Sequence, residues 1–174
     1  MDLREFNLAR DYDATLALWQ TAAPGVHVGR SDSAAEIAKK LERDPDLFLV
    51  ADEGGAIVGS VIGGYDGRRG LVYHLAVAPD WRGRGLGRQL MAELESRLRA
   101  RGCLKAYLLV TPDNAEALEF YARQGWEEMP LHLPPHAQQD DRSMASWRKR
   151  TRSFDQLSQL RWQHEMPMGQ RKLC

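Results

Sequence analysis

Cysteine is nearly absent from this chain. Cys103 and Cys174 are the two cysteines among 174 residues, too few for a disulfide framework. Cys103 is expected in a strand, as a small buried apolar side chain, which suits a reducing, cytoplasmic compartment. Net charge is absent as well. The 24 lysines and arginines balance 24 aspartates and glutamates, so no global field argues for nucleic acid or a membrane surface as partner. No apolar run approaches the ~18–20 residues that span a bilayer. The opening MDLREFNLAR is acidic at once and lacks the apolar stretch of a secretory signal. Internal repeats are lacking too. What remains is an ordinary globular composition, long enough for one domain with a sizeable core and short of two.

Apolar periodicity organises most of the chain. LREFNL alternates and reads as a first strand. DYDATLALWQTA sets Tyr12, Leu16, Trp19 and Ala23 at helical spacing, with Asp11 as the expected cap. After the loop PGVHVGRSDS, Ser33 and Glu36 have the spacing of a capping box, and Ala34, Ile37, Ala38 and Leu41 give a second helix its apolar face. LFLVAD, AIVGSVIGGY and LVYHLAVA then read as successive antiparallel strands, separated by glycine turns. A helix from Leu86 to Ala100 carries Leu86, Leu90, Leu94 and Leu98 on one face and stops at Arg101-Gly102. CLKAYLLV, NAEALEFYARQG and WEEMPLHL supply a strand, a helix and a strand. The predicted order is βααβββαβαβ. It describes an α/β sandwich of α+β type, with a mixed, mostly antiparallel central sheet and a β-α-β crossover after the antiparallel run.

The segment that demands an explanation is PDWRGRGLGRQLM, Pro79 to Met91. Glycine costs conformational entropy wherever it is used, yet Gly83, Gly85 and Gly87 stand together where a loop becomes a helix. A helix start has unpaired N–H groups and about half a positive charge, and missing Cβ atoms let an anion approach them. Arg82, Arg84 and Arg88 add donors. The natural guest is a phosphate or pyrophosphate, held by N–H groups from Arg82 to Arg88, Leu86 included. The lysine and hydroxyl of a Walker loop are missing, and the glycine spacing is wrong for a dinucleotide fingerprint. No metal cluster is visible either: His132 and His136 are separated by Pro134 and Pro135, which forbid a helix between them.

Arg82-x-x-Gly85-x-Gly87 resembles the R/Q-x-x-G-x-G/A signature of the GNAT superfamily of N-acetyltransferases. HLAVAPDWRGRGLGRQLMAELESRLRARG is similar to that family's fourth strand, loop and third helix, and LLVTPDNAEALEFYARQGW to its fifth strand and fourth helix. The resemblance covers roughly residues 1–128 and is closest to the small bacterial stand-alone acetyltransferases of YpeA type. It implies the acyl-CoA N-acyltransferase fold, with the sheet splayed between strands four and five. It also implies acetyl-CoA as co-substrate, its pyrophosphate on the glycine loop, and no metal. The main chain of Leu75, Ala76 and Val77 would pair with the pantetheine arm, and Asn114, a natural helix cap, would touch the cofactor. Tyr121 would protonate the departing thiolate. An amine would attack the thioester directly in a ternary complex.

The base is open at this point. Some relatives carry a glutamate early in the fourth strand, where this chain has Leu71. Tyr73 and His74 are the nearby candidates, and strand alternation sends them to opposite faces; a water chain or an amine arriving neutral serves equally. Trp19 and His27 lie where the family's acceptor pocket forms. The acceptor class is a small-molecule or peptide amine, and a homodimer is compatible with the sequence. The alternative function is an acetyl-CoA sensor without turnover, kept open by the missing glutamate.

Residues 1–130 are thus expected to form the acetyltransferase domain and 131–174 a polar, basic extension, partly disordered, with a last edge strand near 166–173 and a short helix over 153–163. Arg142, Arg148, Lys149, Arg150, Arg152, Arg161, Arg171 and Lys172 face only Asp140, Asp141, Asp155 and Glu165 there, an excess of about four positive charges. The charges are mixed, which favours a solvated tail over nucleic-acid docking.

Overall fold

A computed structural model of the chain describes residues 1–22, 26–111 and 114–129, together with the backbone of 145–149. The elements are β1 (Asp2–Glu5), α1 (Leu8–Thr21), α2 (Ala34–Arg43), β2 (Phe48–Glu53), β3 (Ala56–Tyr65), β4 (Gly70–Val77), α3 (Leu86–Ala100), β5 (Ala106–Val110), α4 (Ala115–Arg123), β6 (Trp126–Met129) and β7 (Ala145–Lys149). Through β6 the order is the predicted one. The strands form one sheet, β1-β2-β3-β4-β5-β7-β6, in which the pair β4–β5 is parallel and the other pairs are antiparallel. The sequence reading contains no strand at 145–149, because ASWRK lacks an apolar run; β7 nevertheless sits between β5 and β6. The predicted helix over 153–163, the edge strand near 166–173, Cys174, His132 and His136 lie outside the described residues.

Two cores flank the sheet. Alternation along β2 sends Leu49 and Ala51 to one and Phe48 and Val50 to the other. On the first face Leu86, Leu90, Leu94 and Leu98 of α3 are at most 2 % exposed, as their spacing predicts. Each such burial is worth about 2 kcal/mol. On the second face α1 and α2 bring Leu18, Trp19 and Ile37 against Phe48, Val50 and Ile62. Trp19 is core, and its indole N–H donates to Ser60 Oγ at 2.9 Å.

Three local expectations need correction. α1 begins earlier than its apolar spacing suggests, and its cap is Asn7, whose Oδ1 accepts from Arg10 N at 3.1 Å. Asp11 is instead buried inside the helix, where its carboxylate takes Arg4 (2.7 Å) and the N–H of Asn7 (2.7 Å). Ser33 is the N-cap of α2, but its side chain makes no capping bond; the neighbouring Asp32 accepts from Gly29 N at 2.7 Å. Cys103 is buried as expected, but it precedes β5 rather than lying in it.

Candidate active site

β4 and β5 pair only at Gly70↔Ala106, Leu71↔Tyr107 and Val72↔Leu108. Beyond Val72 they part, and a cleft of about 580 Å³ opens between the second half of β4, the start of α3 and the inner face of α4. Ala76 pairs with Ser60, and Ala78 N donates to Val58 O at 2.9 Å. Antiparallel ladders alternate, so Ala76 and Ala78 give their main-chain groups to β3. Val77, between them, turns its N–H and C=O to the cleft. Arg82 Nε reaches that carbonyl at 3.3 Å. Half a strand edge is thereby left for an extended ligand, with Leu75, Ala76 and Val77 all in the cleft wall.

The glycine loop closes one end. Gly83 and Gly85 have φ of +72° and +82°, left-handed backbone that favours glycine, and Gly85 is the N-cap of α3. This kink aims successive N–H groups outward. Among the described residues, no main-chain carbonyl accepts from the N–H groups of Gly83 to Arg88; that of Arg82, expected with them, instead donates to Pro79 O at 3.1 Å, and Gln89 N bonds Gly85 O. Gly87 has a different reason to lack a side chain: a Cβ there would come within 3.2 Å of Phe120 Cζ, so it is the seat of α4 against α3. The arginines stand around the loop on separate errands. Arg84 lies over the Trp81 ring, 5.3 Å from its centroid; Arg82 faces Glu116 at 4.0 Å; Arg88 is exposed. Positive helix-end potential and unpaired donors at this end of the cleft suit an anion.

α4 forms the other wall. Asn114 caps it, Oδ1 accepting from Ala117 N at 3.1 Å, and lines the cleft. Tyr121 is buried, with its ring edge-on to Phe120 and Trp126. Burial alone pushes its phenol up, well above the usual tyrosine value, so it keeps its proton at any working pH. Gln124, which the sequence reading did not single out, also lines the cleft. Its Nε2 is buried with no partner among the described residues. An orphaned donor, an unpaired strand edge and bare helix-start amides all fit a long, polar, phosphate-bearing ligand.

At Tyr73 and His74 the structure overturns the alternation argument. The β3–β4 register slips between Ser60↔Ala76 and Ile62↔Tyr73, a bulge centred on His74, whose φ is +55°. The extra residue cancels one alternation, so both rings face the α1–α2 side. Tyr73 packs in that core, where burial raises its phenol and so disfavours the phenolate that a base requires. His74 sets its ring edge-on to Trp19, 4.8 Å between centroids. Its Nε2 is 2.9 Å from Asp32 Oδ1, an ion-pair distance at which the ring N–H is not yet aligned on the oxygen. The sequence places Asp32 in a loop; a contact between residues so distant in the chain leaves no local signal. His27 is exposed.

A sequence model of the Acetyltransferase (GNAT) family matches residues 12–126. The chain belongs to that family. An acetyltransferase of Pectobacterium atrosepticum is 44% identical over 127 residues, covering 73% of this chain and 88% of its own. Among solved structures, Ard1 from Thermoplasma volcanium superposes with a TM-score of 0.70 at 25% identity, over 85% of this chain and 95% of its own. PaiA N-acetyltransferase from Thermoplasma acidophilum, in complex with coenzyme A, gives 0.71 at 16% identity, over 86% and 98%, which speaks for the fold alone. The GNAT sheet with its splay between β4 and β5 is therefore the fold of this chain, and acetyl transfer is its chemistry. Acetyl-CoA is the co-substrate of the family. No described helix is long and apolar enough to cross a membrane.

Proposed function

We propose that this chain is an N-acetyltransferase that passes the acetyl group of acetyl-CoA to a primary amine, carried by a small molecule or a peptide, by direct attack in a ternary complex. The observation that carries the reading is the run of unclaimed N–H groups from Gly83 to Arg88 beside an unpaired edge of β4. Acetyl-CoA supplies an activated thioester. The helix-start amides, with Arg82, Arg84 and Arg88 around them, take its pyrophosphate. Val77 offers its N–H and C=O to the pantetheine amides as an added strand, and the N–H near Val77 polarises the thioester carbonyl. Leu75 and Ala76 form the wall beneath, and the amide nitrogen of Asn114, left over from capping, reaches the arm. Tyr121 is the proton donor to the leaving sulfur. The burial that raises its phenol raises the proton affinity of a thiolate in the same cleft, so the pair stays matched and hydrogen-bonded. No covalent intermediate is needed, and Cys103 is buried away from the cleft. Its free thiol fits a cytoplasmic enzyme.

Isothermal titration calorimetry with acetyl-CoA, on the full chain and on Gly85→Glu, tests the reading. A side chain at φ +82° strains the loop, and its carboxylate repels phosphate. Affinity is expected to fall by at least about 100-fold, or about 2.7 kcal/mol. A wild-type protein indifferent to acetyl-CoA sinks the proposal. Coenzyme release with a panel of primary amines then separates turnover from a sensor that binds without reacting.

A further inference from the structure

We infer that Asp32 and His74 act as a dyad that receives the proton of the acceptor amine, with His74 Nδ1 as the accepting atom and Asp32 as its positioning residue. The inference rests on the acetyl-transfer reading and goes past it by assigning the base and the side from which the acceptor enters.

Three independent observations converge. First, His74 holds φ +55° inside a strand, a left-handed conformation that is strained for a non-glycine residue. The bulge turns its ring to the α1–α2 side of β4, one residue before Leu75, where the β4 wall of the cleft starts; His74 is not itself part of that wall. Second, the ring has two unlike edges. Nε2 is buried against Asp32 Oδ1 at 2.9 Å. The side chain as a whole keeps 20% of its surface, and Nδ1 has no partner among the described residues. Third, Asp32 is itself held. It is 5% exposed, its Oδ2 accepts from Gly29 N at 2.7 Å, and its main-chain oxygen accepts from the Tyr12 hydroxyl at 3.0 Å.

A carboxylate only accepts hydrogen bonds. With Asp32 Oδ1 2.9 Å from Nε2, the neutral tautomer that carries its proton on that nitrogen is the one the carboxylate favours, and the lone pair falls on Nδ1. The titratable groups around the ring are Asp32, Tyr73 at 6.3 Å between ring centroids and, beyond Asp32, Tyr12. One proton of the acceptor ammonium goes to Nδ1 and from there to solvent. The freed lone pair forms the N–C bond while the C–S bond breaks. A second proton leaves nitrogen as the amide forms and balances the one placed on sulfur.

His74→Gly is the decisive variant, because glycine accepts the left-handed backbone of the bulge without strain. With acetyl-CoA and the best amine of the panel, or water if none is better, its kcat is expected to fall by about 100-fold. Acetyl-CoA affinity by calorimetry should stay within about threefold, and added imidazole should restore at least about a tenth of the lost rate. Asp32→Asn should lower kcat about 10-fold with the KM for acetyl-CoA unchanged, and imidazole should not rescue it. His74→Gly with wild-type kcat, or with a loss that imidazole leaves untouched, overturns the dyad while the acetyl-transfer reading stands. Loss of acetyl-CoA binding by the wild-type chain overturns both.

Discussion

The two faces of the sheet around β4 are made of different material. The side toward α3 works with main chain: helix-start amides, a strand edge and glycines whose missing Cβ atoms expose them. The side toward α1 and α2 works with side chains: His74 against Asp32, Tyr12 on Asp32, Trp19 on Ser60. Main-chain donors are the same in every protein, so the first side suits the part of a co-substrate that never varies. Side chains carry identity, so the second suits an acceptor that differs from one enzyme to the next.

The sharpest break of this comparison is at Tyr121, the one side chain on the donor side given a share in bond breaking. Tyr121→Phe keeps the ring against Phe120 and Trp126 and removes only the hydroxyl. kcat is expected to fall about 100-fold, the ordinary scale for loss of a general acid, with calorimetric affinity for acetyl-CoA unchanged. Affinity falling in step with kcat would make the hydroxyl a binding group. An unchanged rate would leave sulfur to leave as the thiolate.

The same division decides what was legible in the sequence. The glycine loop proposed to hold the anion is written in consecutive residues, since Gly83, Gly85 and the start of α3 are neighbours in the chain and their geometry is local. Helix faces and the strand order follow from periodicity for the same reason. Alternation, a local rule, failed at His74 because a bulge is set by pairing with β3, and nothing in LVYHLAVA marks it. Asp32 stayed hidden because its partner lies far along the chain. β7 was missed because its place is fixed by the open edges of β5 and β6, not by its own composition. Spacing alone groups Gly87 with the phosphate loop, yet Phe120 across the helix interface explains its bare backbone equally well.

The side-chain side also leans on charge beneath it, which predicts a smaller effect, read in stability. Asp11 is 1% exposed. Burial pushes its carboxyl up, but hydrogen bonds from Arg4, the Asn7 N–H and Arg10 outweigh that and bring it down to about 2 from 3.8. A depressed carboxylate stabilises the fold above its unfolded value and loses that stability as pH falls through its folded one. The contribution is about 2 kcal/mol at neutral pH, lost between about pH 4 and 2. Asp11→Asn should cost about 2 kcal/mol in urea unfolding at pH 7, and the gap to wild type should narrow as pH drops toward 2. A gap that stays constant with pH would mean the loss is one of packing, not of charge.

The smallest effect is expected where a side chain stands on the main-chain side. Arg84 is exposed and lies over Trp81 rather than along the path of the loop amides. If backbone donors carry the pyrophosphate, Arg84→Gln removes only a screened surface charge, worth less than about 1 kcal/mol, and acetyl-CoA affinity should weaken no more than about fivefold. The loss should shrink further as salt is raised from 50 mM to about 300 mM, where the Debye length falls below about 6 Å. A tenfold or greater loss that persists in high salt would mean that the guanidinium makes a direct, desolvated bond to phosphate, and the donor side would then depend on side chains as much as the acceptor side does.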